Sequence, residues 1–237
     1  NRTIVIGDLH GCFDEARALL DLLHREWAVT DDDRVIFAGD LVDRGPKPRE
    51  CVELAMKHEA ILGNHEEKHL QQRKRKDEDL SPDHLATRRA LSNEHYAYFS
   101  KLPLFIRIPE ANAVVLHAGV LPGVEIEKQD AYHLLHAQCI KPPEKKSYWP
   151  SKAPSTHTFW TNHWRGPERV IFGHSVVDKP LVTPFAVGID TGCAFGGALT
   201  AVILPTWEIV SVPSRQPTRA GREIAKYRIH GDVSCFS

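Results

Sequence analysis

Six short apolar runs punctuate the chain, and each leads into glycine and a polar residue. Thr3-Ile4-Val5-Ile6 leads into Gly7-Asp8, Val35-Ile36-Phe37-Ala38 into Gly39-Asp40, and Ala60-Ile61-Leu62 into Gly63-Asn64-His65. Val114-Val115-Leu116 leads into His117-Ala118-Gly119, Val170-Ile171-Phe172 into Gly173-His174, and Val187-Gly188-Ile189 into Asp190-Thr191-Gly192. Continuous apolar runs of this length predict strands buried on both faces. Between them, Phe13, Ala16, Leu19, Leu20, Leu22 and Leu23 keep helical spacing. Val52, Leu54, Ala55 and Met56 form a second such stretch, entered through Pro46 and Pro48. Residues 64–76 and 84–99 predict two further helices, and Leu199–Leu204 with Trp207–Val212 predict an antiparallel pair turning near Pro205-Thr206. The order βαβαβαα followed mostly by β predicts an α/β (α+β) fold, a two-sheet β-sandwich flanked by helices.

One stretch breaks the pattern. Residues 139–168 hold Pro142, Pro143, Pro150, Pro154 and Pro167 with Lys141, Lys145, Lys146 and Lys152 among them. Such a segment reads as a long loop or small cap rather than core. The expectation is one domain over 1–237 with a cap or insertion at 120–168. The tail, 213–237, has no pattern that places it beyond a strand around Ala225–Ile229.

Composition narrows the partners. The net charge is −1, so no global field selects a nucleic-acid duplex or an anionic membrane. No run reaches the roughly 18 apolar residues of a membrane span, and no signal-peptide pattern opens the sequence. The five cysteines form no CxxC and are odd in number, which argues against a secreted disulfide framework. These features predict a cytoplasmic protein.

The strand ends carry the chemistry. Ligands in α/β folds collect at the carboxyl ends of strands, so Asp8, His10, Asp40, Asn64, His117 and His174 can converge on one site. Two carboxylates, an amide oxygen and three imidazoles, without a thiolate, suit Mn, Fe, Co or Zn better than an all-oxygen calcium or magnesium cage. Six ligands exceed what one open catalytic ion takes and suit two divalent ions sharing a carboxylate, the electrostatics of a two-metal hydrolase. Singly, Asp8 or Asp40 reads as well as a helix N-cap; Asp190 is divided between capping and a role at the site.

Gly7-Asp8-Leu9-His10-Gly11, Gly39-Asp40-Leu41-Val42-Asp43-Arg44-Gly45, Gly63-Asn64-His65-Glu66, His117-Ala118-Gly119 and Gly173-His174 together resemble, in order, the signature blocks of the calcineurin-like PPP phosphatase family. The resemblance implies that Asp8, His10 and Asp40 hold one ion and that Asp40 bridges to a second held by Asn64, His117 and His174. Two divalent transition-metal ions, manganese foremost, would be the cofactors. It implies His65 as general acid, Asp43 as its carboxylate partner and Arg44 as phosphate clamp. Arg165 is a further candidate for substrate phosphate.

Asp190-Thr191-Gly192-Cys193-Ala194-Phe195-Gly196-Gly197-Ala198-Leu199-Thr200 resembles a segment of bacterial diadenosine tetraphosphatases, as does Leu62-Gly63-Asn64-His65 followed by His69-Leu70. Asp43 and Glu66 instead have the protein-phosphatase form. The resemblance therefore implies a phosphohydrolase acting on diadenosine tetraphosphate or related dinucleoside polyphosphates, giving nucleotides such as ADP; a phosphoprotein phosphatase for Ser/Thr or Tyr is the alternative. Two accessory features stay open. Arg73-Lys74-Arg75-Lys76 is either a solvated helix end or a patch steering polyphosphate. Tyr148, Trp149, Phe159, Trp160 and Trp164 either cap a small core or stack on a nucleobase.

Overall fold

The computed structural model describes residues 2–218, so the strand expected at Ala225–Ile229 lies outside the described residues. Strands β1 (Thr3–Ile6), β2 (Arg34–Phe37) and β3 (Glu59–Ala60) run parallel. Strands β11 (Ala198–Leu204) and β12 (Glu208–Pro213) extend them antiparallel, in the order β12-β11-β1-β2-β3. A second five-stranded sheet repeats the plan. In it, β5 (Ala113–Leu116), β8 (Arg169–Phe172) and β10 (Ala186–Gly188) are parallel. Antiparallel β4 (Phe105–Ile108) flanks β5, and antiparallel β9 (Leu181–Val182) flanks β10. The apolar patterning did not single out β4 or β9; Leu181–Val182 is two residues long and half-exposed, too short for a periodicity signal.

Strand alternation divides the core. Val5, Ile36, Val115, Ile171 and Val187 meet between the sheets. Ile4, Ile6 and Phe37 point outward to helices α1 (Phe13–Trp27) and α2 (Pro48–Ala55), which bring Leu19, Leu23 and Val52. Continuous apolar strands are thus buried on both faces, as their pattern requires. Helix α1 stops where Ala28 turns left-handed and its N–H returns to the Leu23 carbonyl.

Two helical expectations need revision. Helix α3 (Asn64–Gln71) ends before the basic run, and the stretch 84–99 is two helices, α4 (Pro82–Ala90) and α5 (Asn93–Phe99). Leu91 and Ser92 are extended, and the Ser92 N–H donates to His95 Nδ1 at 3.0 Å, which restarts the helix.

The expectation that 139–168 stays out of the core also needs correction. Helix α6 (Ala131–His136) and the ribbon of β6 (Cys139–Ile140) with β7 (Thr158–Phe159) precede a short turn. Phe159, Trp160 and Trp164 are buried with Val114, Leu116 and Phe172 on the outer face of the second sheet. That face is covered largely by this segment, so its aromatics supply apolar area that α1 and α2 provide on the other side. Among the described residues no helix is long and apolar enough to cross a membrane.

Candidate active site

The six parallel strands deliver their carboxyl ends to one place. Asp8 follows β1, Asp40 follows β2, and Asn64 opens α3 after β3. His117 follows β5, His174 follows β8, and Asp190 follows β10. Contact across the two sheets is direct: the His174 N–H donates to both oxygens of Asp8, at 3.2 and 3.0 Å.

Asp40 sits at the centre with one oxygen toward each half. Its Oδ2 lies 3.3 Å from His10 Nε2, and its Oδ1 lies 3.3 Å from His117 Nε2. On the second side Asn64 Oδ1 lies 2.9 Å from both His117 Nε2 and His174 Nδ1. On the first, Asp8 Oδ2 is 4.0 Å from His10 Nε2. The rings are aimed by the backbone. His10 Nδ1–H donates to the Val42 carbonyl and His117 Nδ1–H to the Ala38 carbonyl, each at 2.8 Å. Carbonyls only accept, so Nδ1 carries a proton in both rings, and in the neutral tautomer each Nε2 has its lone pair for a cation.

Holding these groups takes strained backbone. Of the eight non-glycine residues at positive φ among those described, five belong to this site: His10, Asp40, Asp43, Arg44 and His174. Such conformations cost about 1–3 kcal/mol each and persist only where the surroundings impose them. Glu66 is one source of that imposition. Its buried carboxylate accepts N–H groups from Asp40, Leu41, Val42 and Gly63 at 2.8–3.2 Å, tying the loop after β2 to the start of α3. Gly63 is required there, since a Cβ would fall 2.2 Å from the Asp40 nitrogen.

His65, Asp43 and Arg44 gather beside the first half. His65 Nδ1 lies 2.6 Å from Asp43 Oδ2, leaving Nε2 4.0 Å from Asp40 Oδ2. Arg44 reaches Nε2 of both His10 and His65, and its guanidinium lies over the Phe195 ring at 4.8 Å. Behind this pair stands a feature the sequence did not single out. Asp43 Oδ1 meets His69 Nε2 at 2.7 Å, and His69 stacks on buried His84 with ring centroids 3.6 Å apart. His69 is recognisable as one turn after His65; His84 belongs to α4, and no local spacing ties it to the site.

Arg165 keeps different company. It donates to the carbonyls of Trp164 and Asn162 and lies over Phe185. Arg73 donates to Asn93 and covers Tyr96. Asp190, in contrast, is buried at the site; it accepts the Gly192 N–H at 3.1 Å through Oδ1, and its side chain lies against that of Asp8.

The electrostatics describe a pit of buried carboxylates and imidazoles whose charges bear on one another. Burial, with Asp190 and Asp40 alongside, pushes the Asp8 carboxyl up. Burial also acts to raise Asp40, but His117, His65 and His10 outweigh it and hold that carboxyl low. Asp43 is likewise held low, since the hydrogen bonds from His65 and His69 overcome its burial. Burial and Arg44 depress His10; burial and His117 depress His174. Burial acts to lower His117 as well, but Asp40 outweighs it and raises that imidazole. Imidazoles crowded around buried carboxylates make a donor set fitted to divalent cations. Two groups of donor atoms, His10–Asp40–His65 and Asp40–His117–His174, each lie within 4.8 Å of one another, and they share Asp40.

The sequence has recognisable relatives. The profile of the calcineurin-like phosphoesterase family matches residues 2–178. The chain is 33% identical to an asymmetrical bis(5'-nucleosyl)-tetraphosphatase of Halalkalibacterium halodurans, over 90% of this chain and 94% of the relative. It is 29% identical to a protein of the same name from Oceanobacillus iheyensis, over 90% and 92%. A crystal structure of a candidate diadenosine tetraphosphatase superposes with a TM-score of 0.75 at 32% identity, covering 90% of this chain and 93% of the other.

Proposed function

The chain belongs to the calcineurin-like phosphoesterase family of metal-dependent hydrolases, and from that premise we propose that it splits dinucleoside tetraphosphates asymmetrically, into a nucleoside triphosphate and a nucleoside monophosphate. The observation that carries the metal chemistry is the central carboxylate of Asp40, with one oxygen toward His10 and the other toward His117. In this reading Asp8, His10 and Asp40 hold one divalent ion, and Asp40, Asn64, His117 and His174 hold the other. Manganese suits this mixed oxygen and nitrogen set. When bound, the ions neutralise phosphoryl oxygens and lower the pKa of water.

The protein's own groups do the rest. Arg44 presents parallel N–H donors to phosphoryl oxygens. His65 donates its Nε2 proton to the oxygen that leaves. Asp43 accepts the Nδ1–H of His65 at 2.6 Å, which fixes the ring so that Nε2 faces the substrate. The substrate assignment draws its support from the relatives' names and from their near-complete overlap with this chain. Asymmetric splitting of diadenosine tetraphosphate would give ATP and AMP, whereas symmetric splitting would give ADP. The phosphoprotein alternative rested on Asp43 and Glu66, and each has a local task here: Asp43 holds His65 and His69, and Glu66 holds four backbone N–H groups. The proposed setting is the cytoplasm, where the buried thiols of Cys12, Cys51 and Cys193 stay reduced.

The test is a comparison of manganese-loaded protein on diadenosine tetraphosphate and on a phosphoserine peptide, with products separated by chromatography. ATP and AMP in equal amounts, at a kcat/KM well above that for the peptide, is the expected result. Preference for the peptide would overturn the reading.

A further inference from the structure

Large hydrophobic side chains left exposed among the described residues are Met56, Tyr132, Trp149 and Val182. Two of these four stand at the rim of the active site. The Trp149 ring lies 5.6 Å from that of His174, and Tyr132 lies 4.9 Å from His136, whose own ring is 6.1 Å from His174. Trp149 is 54% and Tyr132 55% exposed. They come from separate parts of the segment covering the second sheet, Tyr132 from α6 and Trp149 from the loop before Pro150. The neighbouring Phe159, Trp160 and Trp164 are buried in the core. An indole held half in water beside a proposed metal ligand has a flat apolar face available to a ligand ring. His136 is braced by Glu67 of α3 at 3.2 Å, which ties α6 to the site.

We propose that Trp149 and Tyr132 form the base-binding face for the nucleoside whose own α-phosphorus is attacked. The proposal rests on the dinucleoside tetraphosphate reading and adds two things to it: where one base lies and which phosphorus reacts. Only a ribose separates an α-phosphate from its base, whereas attack at the β-phosphate would put another phosphate between them. A stacking face one ring away from His174 therefore matches an α-phosphate at the Asp40–Asn64–His174 half. His65 lies on the opposite flank, with its Nε2 toward Asp40 Oδ2 while His117 faces Oδ1. The leaving oxygen must go toward the acid. The stacked nucleoside therefore stays with the attacked phosphorus, and the rest of the molecule departs.

The step balances without an added reactant. The oxygen of water bonds to the α-phosphorus, and the bond from that phosphorus to the bridging oxygen breaks. The bridging oxygen leaves on the nucleoside triphosphate and takes the proton from His65 Nε2. The proton lost by the water passes to solvent, and the monophosphate keeps the water's oxygen.

The experiment uses the manganese-loaded full chain. In ¹⁸O-water the label is expected in AMP; label in ATP would mean attack at the β-phosphorus and overturn the assignment. Trp149→Leu and Tyr132→Leu keep apolar cover over the histidines but remove ring stacking. Each should raise KM for diadenosine tetraphosphate on the order of tenfold. That rise should exceed by at least fivefold any rise for p-nitrophenyl phosphate, and Trp149→Phe should recover most of the loss. Equal losses on both substrates would reduce the rings to a shield for His174 and overturn the base site. Titration with AMP, followed by tryptophan fluorescence, tests binding without turnover: wild type should show a saturable change that inorganic phosphate does not produce and Trp149→Leu lacks. If the wild type turns over no dinucleotide, the functional reading fails; the AMP titration still decides the base site separately.

Discussion

Asp43 Oδ1 meets His69 Nε2 at 2.7 Å, and this contact occupies the carboxylate oxygen that His65 does not use. His69 is fully buried and packed face to face with His84 at 3.6 Å. His65, the proposed acid, is therefore oriented by a chain of three further residues running into the protein from α3 to α4.

Replacing His69 should act through His65. His69→Gln is expected to lower kcat for dinucleotide hydrolysis by about tenfold, less than Asp43→Asn, because Asp43 is left free to rotate but stays in place. KM and bound metal should change little. A fall in metal content measured by elemental analysis would instead assign His69 to the stability of the loop.

His65→Asn should lower kcat by about 10²–10⁴, the worth of a positioned general acid. The loss should shrink for p-nitrophenyl phosphate, whose leaving group needs little protonation. Equal losses on both substrates would remove His65 from this role.

Asp40→Asn should cripple both metal positions, since its two oxygens face opposite halves of the site. Asn64→Ala and His174→Ala should weaken one position. Two ions per chain retained in Asp40→Asn, by elemental analysis, would contradict the bridging role.

Removing metal should destabilise as well as inactivate. Burial and the charges of Asp190 and Asp40 push the Asp8 carboxyl up, a cost that cations relieve. Ion binding to the folded state alone adds about 2.7 kcal/mol per site at a hundred times Kd. The melting temperature should fall on chelation and rise again with added manganese; a melting temperature indifferent to metal would exclude such coupling.

His84 gives a pH dependence of known sign. Burial, with His69 against it, holds the imidazole down at about 4 from its ordinary 6.5. Between those values the unfolded chain binds the proton and the folded protein does not. Stability should therefore fall as pH drops from 6.5 toward 4, and this contribution should level off below 4. Urea midpoints of metal-free wild type and His84→Phe at pH 7 and pH 5 test it: the variant should lose less on acidification. Parallel losses would show that other groups dominate.

The sequence by itself determined the strands and the residues at their ends. A run of three or four apolar residues leading into a turn with glycine and a polar residue is local information, and at β1, β2, β5 and β8 it named both the strand and the polar residue after it. Parallel strands within a sheet then present those residues along one edge for geometric reasons alone. Convergence of the two edges was decided only by packing, through the shared apolar layer of Val5, Val115 and Ile171 and the contact of His174 with Asp8. His84 was hidden for the same reason: a histidine in a helix carries no mark of what lies opposite until α4 is laid beside α3. The cap shows the division most sharply. Trp149 and Trp160 are eleven positions apart in one proline-rich stretch, with the same side chain and similar surroundings in sequence. One fills the outer face of the second sheet at 0% exposure and the other stands 54% exposed beside His174, because only the path of the folded chain sets which indole meets apolar neighbours and which meets the mouth of the site.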